Sequence, residues 1–141
     1  MSRGSGFHAP PESEVHCLGT DAISRSVLAG GSLYPCHALF LGPSTAECDP
    51  YEPVSHAVER YERRFGSRPS NIAVEGAGLL VADNLSVTQM YVLIGLAQVI
   101  QRIESGVPVR YLSEQETAEI LCTDAYRYRE NVEARAAYSS R

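Results

Sequence analysis

The chain contains no lysine; its 12 basic residues are all arginine. That excludes any reaction carried by a lysine Schiff base and any phosphate loop that needs its lysine. It contains no C-x-x-C pair either. Cys17, Cys36, Cys48 and Cys122 stand far apart, which argues against a disulfide framework or a zinc ribbon. No H-x-H occurs among the four histidines. The start shows no signal-peptide pattern, so free thiols in a reducing, cytoplasmic compartment are expected. The longest apolar stretch, MYVLIGLAQVI, is too short to span a bilayer. No block of arginines offsets the net charge of −5, and an acidic chain has no electrostatic reason to bind nucleic acid.

What is present suits one globular domain. At 141 residues, 44% hydrophobic and 21% charged, the chain can bury one core. Residues 1–12 are rich in Gly, Ser and Pro and read as a flexible lead; 13–130 read as a single domain and 131–141 as a helix end or tail. VHCLG reads as a short strand. Thr20 is placed to cap a helix over DAISRSVLA, which Gly30 and Gly31 end. HALFLG reads as a buried strand and GPSTAECDPYEP as a turn-rich loop.

From Pro53 onward the pattern is clearer. Val54, Ala57, Val58, Tyr61 and Phe65 share one helical face, Glu59, Arg60, Glu62, Arg63 and Arg64 point away, and Gly66 is the stop. NIAVEGAGLLVA reads as a bulged strand or as two strands around Gly76 and Gly78. Ser86 with Gln89, and Ser113 with Glu116, have capping-box spacing and open two more helices. The first, to about Ile103, is apolar on nearly every side, which predicts a central helix or a partner surface. VPVRYL, between them, reads as a strand. The alternation predicts an α/β layered domain, a sandwich of helices around a small sheet.

Several residues could carry chemistry. EGAG, from Glu75 to Gly78, lacks the third glycine and the immediate helix of a dinucleotide fingerprint. Glu75 reads as exposed at a sheet end, with an acid/base role as the alternative. His16–Cys17 and Cys36–His37 offer zinc-type ligands, yet neighbours on a strand face opposite ways. A small metalloprotein using those four residues is therefore a further alternative. His8 and His56 read as solvated.

Three segments resemble a known family. GSLYPCHALFLGP is similar to the G-x-L-x-P-D-H-x-x-F/Y-x-G/K-P segment in the C-terminal part of class II aldolase/adducin-like proteins, a group that includes rhamnulose-phosphate-aldolase-like chains. NIAVEGAGLLVADNLSVTQMYVLIGLAQVIQRI is similar to that group's glycine-bearing strand and long helix, and VRYLSEQETAEILCTDAYRYREN to its closing helix. The match runs from about Glu14 to Asn131. The resemblance implies an α/β/α sandwich and retro-aldol cleavage of a sugar phosphate. The family's zinc is held by three histidines beside an acid/base carboxylate and polarises the carbonyl.

Pro35, His37, Gly42, Gly76 and Gly78 match the pattern, whereas Cys36 replaces its aspartate. If EGAGLLV echoes the family's H-G segment, Ala77 marks a lost metal ligand. The zinc motif belongs to an earlier part of the family's chain. The expectation is thus the C-terminal portion of an aldolase-like lyase, not catalytic alone, with no catalytic or metal-binding residue and no cofactor of its own. Substrate contacts are expected at His37, Gly42, Glu75, Gly76 and Gly78. The expected partner is a second copy or a companion N-terminal aldolase segment. The alternative is a non-catalytic sugar- or phosphate-binding or regulatory module of the same fold.

Overall fold

A computed structural model describes residues 6–103 and 109–121. Four short strands form one mixed sheet: β1 (Phe7–His8), β2 (Ala46–Cys48), β3 (Asn71–Val74) and β4 (Gly78–Ala82), in the order β1-β4-β3-β2. β2 and β3 run parallel, with Ala46 opposite Ile72 and Cys48 opposite Val74; the other two pairs are antiparallel. The helices are α1 (Cys17–Thr20), α2 (Ala22–Ala29), α3 (Pro35–Leu41), α4 (Val54–Phe65), α5 (Val87–Gln101) and α6 (Glu114–Leu121).

Alternation along the strands divides the core in two. Ala73, Leu79 and Val81 face a layer made by Val15, Leu18, Leu28, Leu41, Leu93 and Leu96. Phe7, Ala46, Cys48, Ile72 and Ala82 face Ala57 and Tyr61 of α4. Successive side chains on a strand point to opposite faces, so each strand of the β3–β4 hairpin serves both layers. The result is the α/β/α sandwich read from the sequence. No helix among the described residues is long and apolar enough to cross a membrane.

The amphipathic α4 forms as its pattern dictates and ends at Gly66, whose φ of 75° is the left-handed conformation of a helix stop. Both capping boxes form. Gln89 N–H donates to Ser86 Oγ at 3.0 Å and Ser86 N–H to Gln89 Oε1 at 3.0 Å; Glu116 N–H and Ser113 make the equivalent pair.

Other expectations are corrected. VHCLG is not a strand: a 3-10 turn, Ser13–Val15, runs into α1, and Val15 and Leu18, three apart, bury together. Asp21 rather than Thr20 caps α2, its Oδ2 accepting from Ser24 N–H at 2.9 Å. HALFLG is helical. Pro35, with its fixed φ, stands at the helix start, and Tyr34 before it is extended (φ −155°, ψ 163°). Short apolar runs carry no periodicity that separates a strand from a buried helix. The described part of VPVRYL is not a strand either; Tyr111 Oη donates to Val27 O at 2.8 Å and Leu112 N–H to Ser32 O at 2.9 Å. The lead is not wholly free, because Phe7 and His8 pair with β4. The tail from 131 lies outside the described residues.

Candidate functional site

β2 and β3 end side by side, at Cys48 and Val74. Two connections leave from there: the loop Asp49–Pro53 into α4, and the turn Glu75–Ala77 into β4. Between them lies a cleft of about 620 Å³, walled by Ala9, Val54, Val74, Ala77, Leu79 and Leu80. Open α/β sheets take ligands at this place, outside the carboxyl ends of parallel strands.

The loop is pinned by hydrogen bonds. Glu52 carboxylate accepts from both Arg60 guanidinium nitrogens, at 2.7 and 3.1 Å, and from Asp49 N–H at 3.0 Å. The Arg60 bonds hold the Glu52 carboxyl down at about 2, so it is ionised at any physiological pH. Asp49 Oδ1 accepts from Tyr51 N–H at 2.9 Å, and the Tyr51 ring stands 96% exposed at the rim. Asp49 makes no ion pair among the described residues.

Cys48 lies beneath this loop, its thiol donating to Asp49 O at 3.3 Å. Burial, and the neighbouring Glu52 charge, push that thiol up to about 11, so it stays protonated and unreactive at neutral pH. Alkylation of the native protein with iodoacetamide at pH 8, read by peptide mass spectrometry, should leave Cys48 unmodified and label it once denaturant is added. Rapid labelling of Cys48 in the native state would contradict this.

The opposite wall is braced by His16. Its Nδ1 accepts from Leu79 N–H at 3.1 Å and its Nε2 donates to Pro10 O at 2.8 Å. Both ring nitrogens are therefore committed to backbone. Close backbone packing completes the wall: Gly76 N–H donates to Gly19 O at 3.1 Å, and a Cβ on Gly78 would stand 2.7 Å from His16 Nδ1.

The five expected contact residues fall into separate places. Glu75, Gly76 and Gly78 belong to the hairpin at the cleft, with Glu75 exposed and 3.5 Å from Arg25. Gly42 ends α3 beside Ser70, whose hydroxyl donates to Leu41 O at 2.7 Å just before β3 begins. The length of β3, roughly 13 Å at about 3.3 Å per residue, separates Gly42 from the turn. Gly42 instead lines a second cleft of about 540 Å³, together with Arg68 and Asn84.

His37 lines neither cleft. It is buried in α3, where Leu33 N–H donates to its Nδ1 at 3.1 Å. The proton accordingly sits on Nε2, which has no partner among the described residues. Burial lowers its pKa to about 4, so the ring is neutral at pH 7.

No three His, Cys, Asp or Glu side chains converge on a cation site among the described residues. His16 would have to abandon two backbone bonds to ligate one, and the Cys36 side chain lies outside the described ones. Sequence reasoning missed Asp49, Tyr51 and Ala77 as cleft residues. The loop reading of GPSTAECDPYEP is itself corrected: Ala46–Cys48 within it is β2, and the connection from Asp49 leaves the carboxyl end of that parallel strand.

No protein-family model matches the chain, and no curated protein matches it. Two solved structures do, both of YgbL, described as "a putative aldolase/epimerase/decarboxylase". The Escherichia coli protein is 18% identical over 63% of this chain and 44% of its own, with a TM-score of 0.41. That of Klebsiella pneumoniae is 16% identical over the same shares, with a TM-score of 0.42. The chain thus spans less than half the length of these proteins, and at such scores the likeness carries no inference about activity.

Proposed function

We propose that the chain is a portion of a class II aldolase-like sugar-phosphate lyase, one that binds its ligand at the carboxyl-end cleft and takes metal chemistry from a separate segment or companion chain. The cleft at the ends of β2 and β3 carries this reading. The order of the three sequence segments supports it, because the glycine-bearing segment at 75–78 forms one side of that cleft. The charged side chains lining it, Asp49 and Glu52, are both acidic. A sugar phosphate would therefore seat its hydroxylated end here and leave the phosphate at the solvent mouth.

One observation favours a second reading, a binding module without chemistry. Cys48 is protonated, Glu52 is locked by Arg60 and both His16 nitrogens are committed, leaving Asp49, among the described residues, as the lining carboxylate outside an ion pair.

Thermal melting with millimolar sugar phosphates and the corresponding free sugars tests the site. A ligand at one hundred times its Kd adds about 2.7 kcal/mol, read as a rise of several degrees. Ala77→Phe, at an exposed position on the cleft wall, should abolish the rise. Absence of any shift, or a shift that survives Ala77→Phe, would overturn the assignment. Adding zinc and a companion segment separates the two readings: ketose phosphate cleavage then supports the lyase, and binding without cleavage supports the module.

A further inference from the structure

The fifteen residues of α5, VTQMYVLIGLAQVIQ, include no charged side chain. Its inner face buries Leu93, Leu96, Ala97 and Ile100. Outward, Val87 is 65% exposed, Tyr91 73% and Val99 43%. A helix face left to water is normally charged, and apolar faces of this kind mark interaction sites.

The outer ridge has a specific pattern. Val87, Tyr91, Gly95 and Val99 follow one another at intervals of four, so they line one side of the helix. A side chain placed on Gly95 would meet nothing within 4 Å, which leaves a hollow between Tyr91 and Val99. Reversing the direction of the ridge about residue 93 exchanges Val87 with Val99 and Tyr91 with Gly95. The ridge can therefore meet a second copy of itself about a two-fold axis, where residue i meets j while j meets i. The ring of the ridge, Tyr91, then falls over its emptiest position, Gly95, twice.

Charge agrees with the same arrangement. Arg102, just beyond the C-terminal end of α5, is exposed and makes no ion pair among the described residues. Asp83, four residues before α5 begins, has an exposed carboxylate bonded to His8 Nδ1 at 2.7 Å. Antiparallel pairing carries each Arg102 toward the other copy's Asp83 and opposes the two helix dipoles favourably.

We infer that the outer ridge of α5 is the interface of an antiparallel homodimer, with Tyr91 of each copy seated on the other's Gly95. This goes beyond the ligand-binding reading and stands without it.

Sedimentation equilibrium of the full chain from 1 to 200 µM tests the inference. The wild type should be dimeric across the upper part of that range. Gly95→Glu, which has room in the monomer, should weaken dimerisation at least 100-fold while the circular dichroism spectrum stays that of the wild type. Tyr91→Glu should do the same. Arg102→Asp and Asp83→Arg should each weaken the dimer, and the two together should restore it.

A wild-type monomer at 200 µM would overturn the inference, including one whose ridge is protected from hydrogen exchange because residues 122–141 cover it. A dimer indifferent to Gly95→Glu would overturn it as well. Failure of the paired charge swap to restore association would overturn the antiparallel register.

Discussion

Gly19→Ala should destabilise the chain by about 3 kcal/mol or more, the upper end of what overpacking costs. Gly19 lies in α1 directly against the backbone of Gly78, and a Cβ there would run into the Gly78 carbonyl. Relief by moving apart is not available cheaply. The two segments are joined by the bond from Gly76 N–H to Gly19 O and by the Leu79 N–H bond to His16. Gly76→Ala is the contrast. There the φ of 74° is unfavourable for alanine, but no atom lies within 4 Å, so the cost should be about 1–2 kcal/mol. Urea unfolding of both variants measures the difference. Equal losses would mean that the α1–hairpin contact is not tight, and the cleft wall built on it would lose its rigidity as an explanation.

Acidification should remove a comparable amount of stability through one side chain. His37 has its pKa lowered from 6.5 to about 4 by burial. Between those values the unfolded chain binds a proton that the folded chain refuses, so stability rises with pH across the window and falls as the solution is acidified through it. Below about pH 4 both states are protonated and this contribution stops changing. At about 1.4 kcal/mol per pH unit, the full window is worth about 3 kcal/mol. His37→Asn keeps an acceptor near the position of Nδ1 for Leu33 N–H and removes the titration. Urea midpoints at pH 7 and pH 4.5 should therefore converge for the variant and diverge for the wild type. An equal loss in both would place the acid sensitivity elsewhere.

The elements legible in the sequence were those whose signals are local. α4 announces itself by an apolar face at Val54, Ala57, Tyr61 and Phe65 and a glycine stop. α5 and α6 announce themselves by serine caps that bond three residues on. α3 was misread because PCHALFL is short and apolar, and its decisive feature is a proline at the start rather than a period. β1 is two residues long, and what orders it lies about 75 residues away in β4, where Ala82 and Val81 pair with Phe7 and His8. No local pattern reports a partner at that distance.

The site followed the same rule. A linear motif placed His37, Gly42, Gly76 and Gly78 in sequence order and gave no information about which end of the sheet each would reach. Connections from the carboxyl ends of β2 and β3 decide that, and the loop after Cys48 carries the residues the motif omits. Glu75 was read as exposed at a sheet end, and it is.

The pairing of β1 with β4 has a consequence for synthesis. Phe7 leaves the ribosome long before Ala82, the residue it pairs with, so the outer edge of β4 is closed by a segment made well before it. Until that closure β4 offers an open row of amides and carbonyls to other chains. The segment around Phe7 therefore serves as a late seal on the sheet.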